Sequence, residues 1–107
     1  MTHSNDEVFV LKDGFPVTDG HSLIIPKRHI ASALDLTESE ITKIHRTFKI
    51  IADELIALDN SITGFNCGFN IGVSAGQSVF HCHFHVIPRR DGDVEPFEER
   101  TVRREGR

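Results

Sequence analysis

Two hydrophobic periods alternate along this chain, and each change of period marks an element. From Ile41 the apolar residues Ile44, Phe48, Ile51, Ala52, Leu55 and Leu58 recur at helical spacing. Glu40, Lys43, Arg46, Lys49 and Asp53 fall mostly elsewhere. Thr37-Glu-Ser-Glu40 is a capping-box pattern, with Leu36 and Ile41 placed as its hydrophobic staple. The spacing predicts an amphipathic helix of about five turns, ending near Asp59-Asn60. His45, one position beyond Ile44, reads as a partly exposed helix residue.

A period of two appears elsewhere. Glu7–Leu11 reads as a first strand, followed by turn signals at Asp13-Gly14, Pro16 and Asp19-Gly20. His21–Ile25 reads as a second strand ended by Pro26, and Lys27-Arg28-His29 as a solvated corner. In Gly64–Ile71, Phe65, Cys67, Phe69 and Ile71 face one way, and Asn66, Gly68 and Asn70 the other. The loop Gly72–Gln77 then leads into Phe-His-Cys-His-Phe-His-Val, where His81, His83 and His85 alternate with Phe80, Cys82, Phe84 and Val86. A strand through this run puts three imidazoles on one face and an apolar stripe on the other. If the two strands form an antiparallel hairpin with a long connection, both aromatic faces meet the helix and Asn70 joins the histidine face.

Composition narrows the setting. The 107 residues fit one domain, and 38% hydrophobic with 26% charged residues is ordinary for a soluble globular chain. No apolar run approaches the roughly 20 residues of a membrane helix. The N-terminus carries no signal-peptide core, so the expected location is cytoplasmic. A net charge of −4 argues against a general nucleic-acid binder. Cys67 and Cys82 form no Cys-x-x-Cys pair and read as buried thiols, Cys82 packing beside Cys67 if the register allows. The charged segment 94–107 reads as a solvated tail behind a single domain over residues 1–93.

Three readings compete for the histidine face: a zinc site, a neutral imidazole nucleophile, or a polar sheet face without a role. Three histidines on one face behind a Gly-rich loop disfavour the last. No carboxylate lies within the motif to complete a metal site, whereas the Gly76 amide, Gln77 and Ser78 are donors suited to an oxyanion or phosphate. A phosphate is favoured. His3 and His29 read as surface residues.

The run Gln77-Ser-Val-Phe-His-Cys-His-Phe-His-Val-Ile resembles the signature of the histidine triad (HIT) superfamily. Gly20-His-Ser-Leu-Ile-Ile-Pro-Lys-Arg-His29 and Gly64-Phe-Asn…Asn70 resemble further family segments. The resemblance covers roughly Glu7 to Asp93. It implies an α+β fold with a five-stranded antiparallel sheet, one long helix and a short helix packed on one face, usually as a homodimer. It also implies a nucleotidyl hydrolase or transferase. His83 would attack an α-phosphate to form a nucleotidyl-histidine intermediate, which water then hydrolyses. His85 and the Gly76–Ser78 loop would hold phosphate oxygens, with Gln77 and Ser78 along the phosphates or leaving group. His81 and His21 would orient and polarise His83 or assist proton transfer. Asp13 matches the residue that bonds the ribose hydroxyls, and Asn70 one that reaches ribose and phosphate.

Pro88-Arg-Arg-Asp-Gly-Asp93 resembles the dinucleoside polyphosphate hydrolase branch, which includes the fragile histidine triad group. The implied activity is hydrolysis of a substrate such as diadenosine tetraphosphate. Asn70 and the Ile-Pro-Lys-Arg-His segment are closer to the purine nucleoside phosphoramidases, the alternative. A non-catalytic nucleotide-binding regulator, holding AMP tightly with negligible turnover, comes next, and a zinc-site protein last. No metal or cofactor belongs to the protein on this reading; Mg²⁺ enters only as companion to a polyphosphate substrate. The partner is a small nucleotide, with neither nucleic acid nor membrane involved.

Overall fold

The computed structural model describes residues 3–93. Four strands, β1 (Val8–Lys12), β2 (Ser22–Pro26), β3 (Ile62–Gly68) and β4 (Phe84–Arg90), form one antiparallel sheet in the order β1-β2-β4-β3. The helix α1 (Glu38–Leu58) joins β2 to β3 and covers one face. No helix among the described residues is long and apolar enough to cross a membrane.

The capping box forms as the sequence predicts. The Thr37 hydroxyl accepts from the Glu40 amide at 3.1 Å, and Glu40 accepts from the Thr37 amide at 2.9 Å. The buried stripe is rotated from the expected one: Glu40, Ile44, Thr47 and Ile51 are buried, whereas Ile41 and Leu58 are largely exposed. A buried glutamate becomes tolerable because Arg28 donates to both Glu40 carboxylate oxygens, at 2.9 and 3.1 Å. Those hydrogen bonds hold the Glu40 carboxyl down to about 2. Arg28 is therefore more than a solvated corner residue.

Val8, Val10, Ile24, Ile44, Ile51 and Val86 form the core. The predicted meeting of aromatic faces occurs: Phe48 packs edge-on against Phe65 and Phe84, and Phe69 against Phe84. His85, Ile87 and Arg89 alternate onto the opposite face of β4.

Several expectations need correction. The expected fifth strand is absent from the described residues. Asn5 Oδ1 accepts from the amides of Glu7 and Val8, turning the N-terminal segment so tightly that only one bridge, Ser4 to Phe9, forms. The expected short helix is replaced by two single 3-10 turns, Ala33–Asp35 and Val73–Ala75. β3 stops at Gly68, where φ is +147°, so Phe69–Ile71 leave the ladder. Cys67 is exposed and paired with Val86, far from packing beside the buried Cys82. The segment 94–107 lies outside the described residues.

The largest departure is in the histidine run, where the strand begins only at Phe84. The β2–β4 register pairs Ser22 with Val86 and Ile24 with Phe84, and would continue with Pro26 opposite Cys82. Proline has no N–H to offer, so the ladder ends there. The Cys82 amide donates instead to Ile30 O at 2.7 Å, drawing His81–His83 out of the sheet and onto the corner after β2.

Candidate functional site

Because the run bends away from β2, the three triad imidazoles do not line up as on a flat strand. Each is placed by a separate hydrogen bond. His81 Nε2 donates to Pro26 O at 2.9 Å, and His83 Nδ1 donates to His81 O at 2.8 Å. A carbonyl oxygen only accepts, so Nδ1 of neutral His83 carries the proton and Nε2 keeps its lone pair. The His83 and His85 rings meet edge-on with centroids 4.9 Å apart.

His85 is placed from the other side. His21, buried just ahead of β2, accepts from the Val17 amide at Nδ1 (3.0 Å). Its Nε2 therefore bears the proton, which it donates to His85 Nδ1 at 3.0 Å, with Asp13 Oδ2 a second acceptor at 3.3 Å. With Nδ1 accepting, neutral His85 carries its own proton on Nε2. The chain Val17 N–H, His21, His85 thus ends in a donor beside the ring that ends in a lone pair. Burial lowers the pKa of His21, opposed by Asp13 and assisted by Arg89. Burial also lowers His85, assisted by His83 and His21 and opposed by Asp13. Both stay uncharged at neutral pH.

Asp13, His21 and His85 offer three ligand atoms within 4.8 Å of one another, the only such group among the described residues. The backbone decides against reading it as a metal centre. A metal on His21 Nε2 would force the proton onto Nδ1, where the Val17 N–H already points. The donor set fits a proton-ordered chain better than a cation. The triad histidines themselves form no convergent set.

The sequence-predicted residues divide. His21, His83, His85 and Asp13 come together, with Asp13 Oδ1 also held by the Phe15 amide at 2.9 Å, but the His21 ring bonds His85 and the His81 ring bonds Pro26 O, so neither imidazole orients His83 as the resemblance implies. Asn70 is exposed and lines a cleft of about 310 Å³ with Val17, His21, Cys67, His85 and Ile87. Ser78 is exposed and has no protein partner among the described residues, leaving its hydroxyl free. Two further expectations do not hold. The Gly76 amide is spent on Val73 O at 3.0 Å, closing a 3-10 turn, so it is no phosphate donor in this conformation. Gln77 is buried, with its amide engaged by backbone rather than lying along phosphates.

The Val17 amide and the Pro26 and Ile30 carbonyls place the imidazoles and the Cys82 peptide through backbone hydrogen bonds, a role no residue-type signal reveals. A larger cavity of about 480 Å³ lies between α1 and the β1–β2 loop. It shares Asp13 and His21 with the site but includes no triad residue, whereas the smaller cleft reaches His21 and His85.

Comparison with known proteins identifies the family. The family model described as "HIT domain" matches residues 1–92. An uncharacterised HIT-like protein of Borreliella burgdorferi is 39% identical over 92 residues, covering 85% of this chain and 66% of that protein. The bis(5'-nucleosyl)-tetraphosphatase (asymmetrical) of Schizosaccharomyces pombe is 38% identical over 78 residues, covering 73% of this chain and 42% of that protein. The chain thus spans under two-thirds of the length of these curated relatives. The crystal structure of a HIT family protein from Bacillus anthracis superposes with a TM-score of 0.81 at 33% identity, covering 94% of this chain and 73% of that one.

Proposed function

The chain belongs to the HIT family, and on that footing we propose that it cleaves nucleotides at the α-phosphate through a nucleotidyl-histidine intermediate on His83. The observation that carries this reading is the hydrogen bond from His83 Nδ1 to His81 O, which leaves the Nε2 lone pair free beside the His85 donor. In the first step Nε2 forms a bond to phosphorus while the bond to the leaving group breaks, the leaving group taking the electron pair. The positive charge that develops on the ring is met by the His81 carbonyl at Nδ1. His85 Nε2–H and the Ser78 hydroxyl stabilise the phosphoryl oxygens. In the second step water attacks phosphorus, the N–P bond breaks with its electron pair returning to His83 Nε2, and the proton lost by the water passes to solvent.

The substrate we propose is a dinucleoside polyphosphate such as diadenosine tetraphosphate. Its leaving group departs as a stabilised phosphate oxyanion and needs no proton. That suits a site in which the Nε2 hydrogen of His81 and the Nδ1 hydrogen of His83 are committed to backbone carbonyls. The similarity to the Schizosaccharomyces pombe tetraphosphatase supports the same choice. Asp13 is proposed to bind the ribose, with Asn70 on the cleft wall reaching ribose and phosphate. A homodimer is part of this reading, supported by the position of β3 at the edge of the sheet. A reducing cytoplasm suits two free cysteines.

The test offers diadenosine tetraphosphate and adenosine 5′-phosphoramidate side by side to chelator-treated protein, with His83→Ala as control. Preferential cleavage of the dinucleotide, lost in the variant, is expected. Preferential release of AMP from the phosphoramidate would replace the substrate assignment, and turnover surviving in His83→Ala would refute the mechanism.

A further inference from the structure

The loop that carries Ser78 is held by a side chain that never reaches the cleft. Gln77 is only 6% exposed, and backbone atoms meet all its amide positions. Its Oε1 accepts from the Gly72 amide at 2.9 Å, while Nε2 donates to Ala31 O at 2.7 Å and to Val79 O at 3.1 Å. No hydrogen of the amide is left for a substrate.

Ala31 lies in the corner that follows β2. The same corner supplies Pro26 O to His81 Nε2 and Ile30 O to the Cys82 amide. Three carbonyls within six residues therefore grip positions 77, 81 and 82, bracketing Ser78. They also orient the His81 peptide, whose carbonyl fixes the His83 tautomer. Of the three grips, only the one at Ala31 is made by a side chain without an imidazole, so it is the one that can be altered without touching a triad member.

We propose that Gln77 is a positioning residue: by tying the β3–β4 loop to Ala31 it sets the placement of Ser78 and of the His81 carbonyl that orients His83. The kinetic part of this inference rests on the nucleotidyl-transfer reading above; the structural part does not.

The test uses Gln77→Glu, which keeps the shape and an acceptor but turns an oxygen towards two carbonyls, and Gln77→Met, which removes all three bonds at similar volume. In substrate-free protein, amide exchange at Gly72 and Cys82 is expected to accelerate at least about tenfold, a 1.4 kcal/mol change in opening. The imidazole ¹⁵N spectrum of His83 is expected to lose its single Nδ1–H tautomer. Unchanged exchange and an unchanged His83 spectrum in both variants would overturn the proposal, whether or not the protein turns over either nucleotide.

In turnover, kcat is expected to fall roughly ten- to a hundredfold, by the same factor for the phosphoanhydride and the phosphoramidate, with KM little changed. A loss that differs between the two leaving groups and sits in KM would mean that Gln77 touches substrate, and would also overturn it. Should one variant fail to fold by circular dichroism, the other carries the same measurements. Wild-type protein inactive on both substrates would refute the hydrolase reading alone, and exchange with the His83 spectrum would still decide the role of Gln77.

Discussion

His83 takes its tautomer from His81: Nδ1 of the later residue donates to the backbone oxygen of the earlier one, at 2.8 Å. The first histidine thus acts on the second through its peptide, while its ring is occupied with Pro26. Replacing His83 with Ala should lower turnover by on the order of 10⁴-fold or more with an unchanged thermal midpoint. His81→Ala keeps that carbonyl and should be milder. Equal losses in the two variants, measured as kcat on one substrate, would contradict this division of roles.

The part of the acid limb of the pH profile that His21 and His85 set should lie below the ordinary histidine value of 6.5, because both are lowered and must stay uncharged for the hydrogen-bond chain to hold. Asp13 raises both, so Asp13→Asn should move the limb to still lower pH. Arg89 lowers His21, so Arg89→Met should move it up. The shifts are opposite in sign and are read from kcat/KM against pH. Stability follows the same sense. The unfolded chain binds the protons that the native histidines refuse, so stability falls as pH drops from about 6.5 towards the lowered values.

How much of this was legible in the sequence depends on how local each cause is. The capping box spans four residues, and the helix began where it predicted. The start of β4 was misjudged because its cause lies 56 residues away: Pro26 falls opposite Cys82 and cannot continue the ladder. The alternation of His81, His83 and His85 marked the chemistry correctly but not its geometry. His21 and Asp13 were recognisable through family resemblance alone, since nothing in their surroundings announces that Val17 supplies a proton donor. Gln77 carried the residue type of a phosphate ligand, and only burial shows its amide already engaged.

The two cysteines should separate under a thiol-reactive dye. Cys67 is exposed, whereas Cys82 is 2% exposed and burial pushes its thiol up to about 11. One equivalent should react in native protein and two after denaturation. Two thiols reacting at one rate would contradict the placement of both.

The Arg28–Glu40 pair should matter more than a surface ion pair. Glu40→Gln should cost about 1–2 kcal/mol at pH 7, since a buried acceptor of two guanidinium hydrogen bonds loses its charge. The wild-type carboxyl is lowered from 4.5 to about 2, so its contribution is complete above 4.5 and is lost as pH falls towards 2. Urea unfolding of both proteins at pH 7 and pH 2.5 reads the difference, which should be smaller at the lower pH. An equal gap at both values would show that the charge is not the source.

Gly20 sits at φ +95°, and a Cβ there would stand 3.1 Å from Pro88 Cγ and 3.3 Å from Leu55 Cδ2. Helix, central strand and the β1–β2 loop therefore meet at one missing methyl group, and the next residue along is His21. Sequence drift at this junction is constrained twice over. Any side chain at position 20 disturbs the packing of the core and displaces the imidazole that orders the site. A library selected only for folding would retain this glycine as faithfully as one selected for turnover, so its persistence among descendants would not by itself record catalysis.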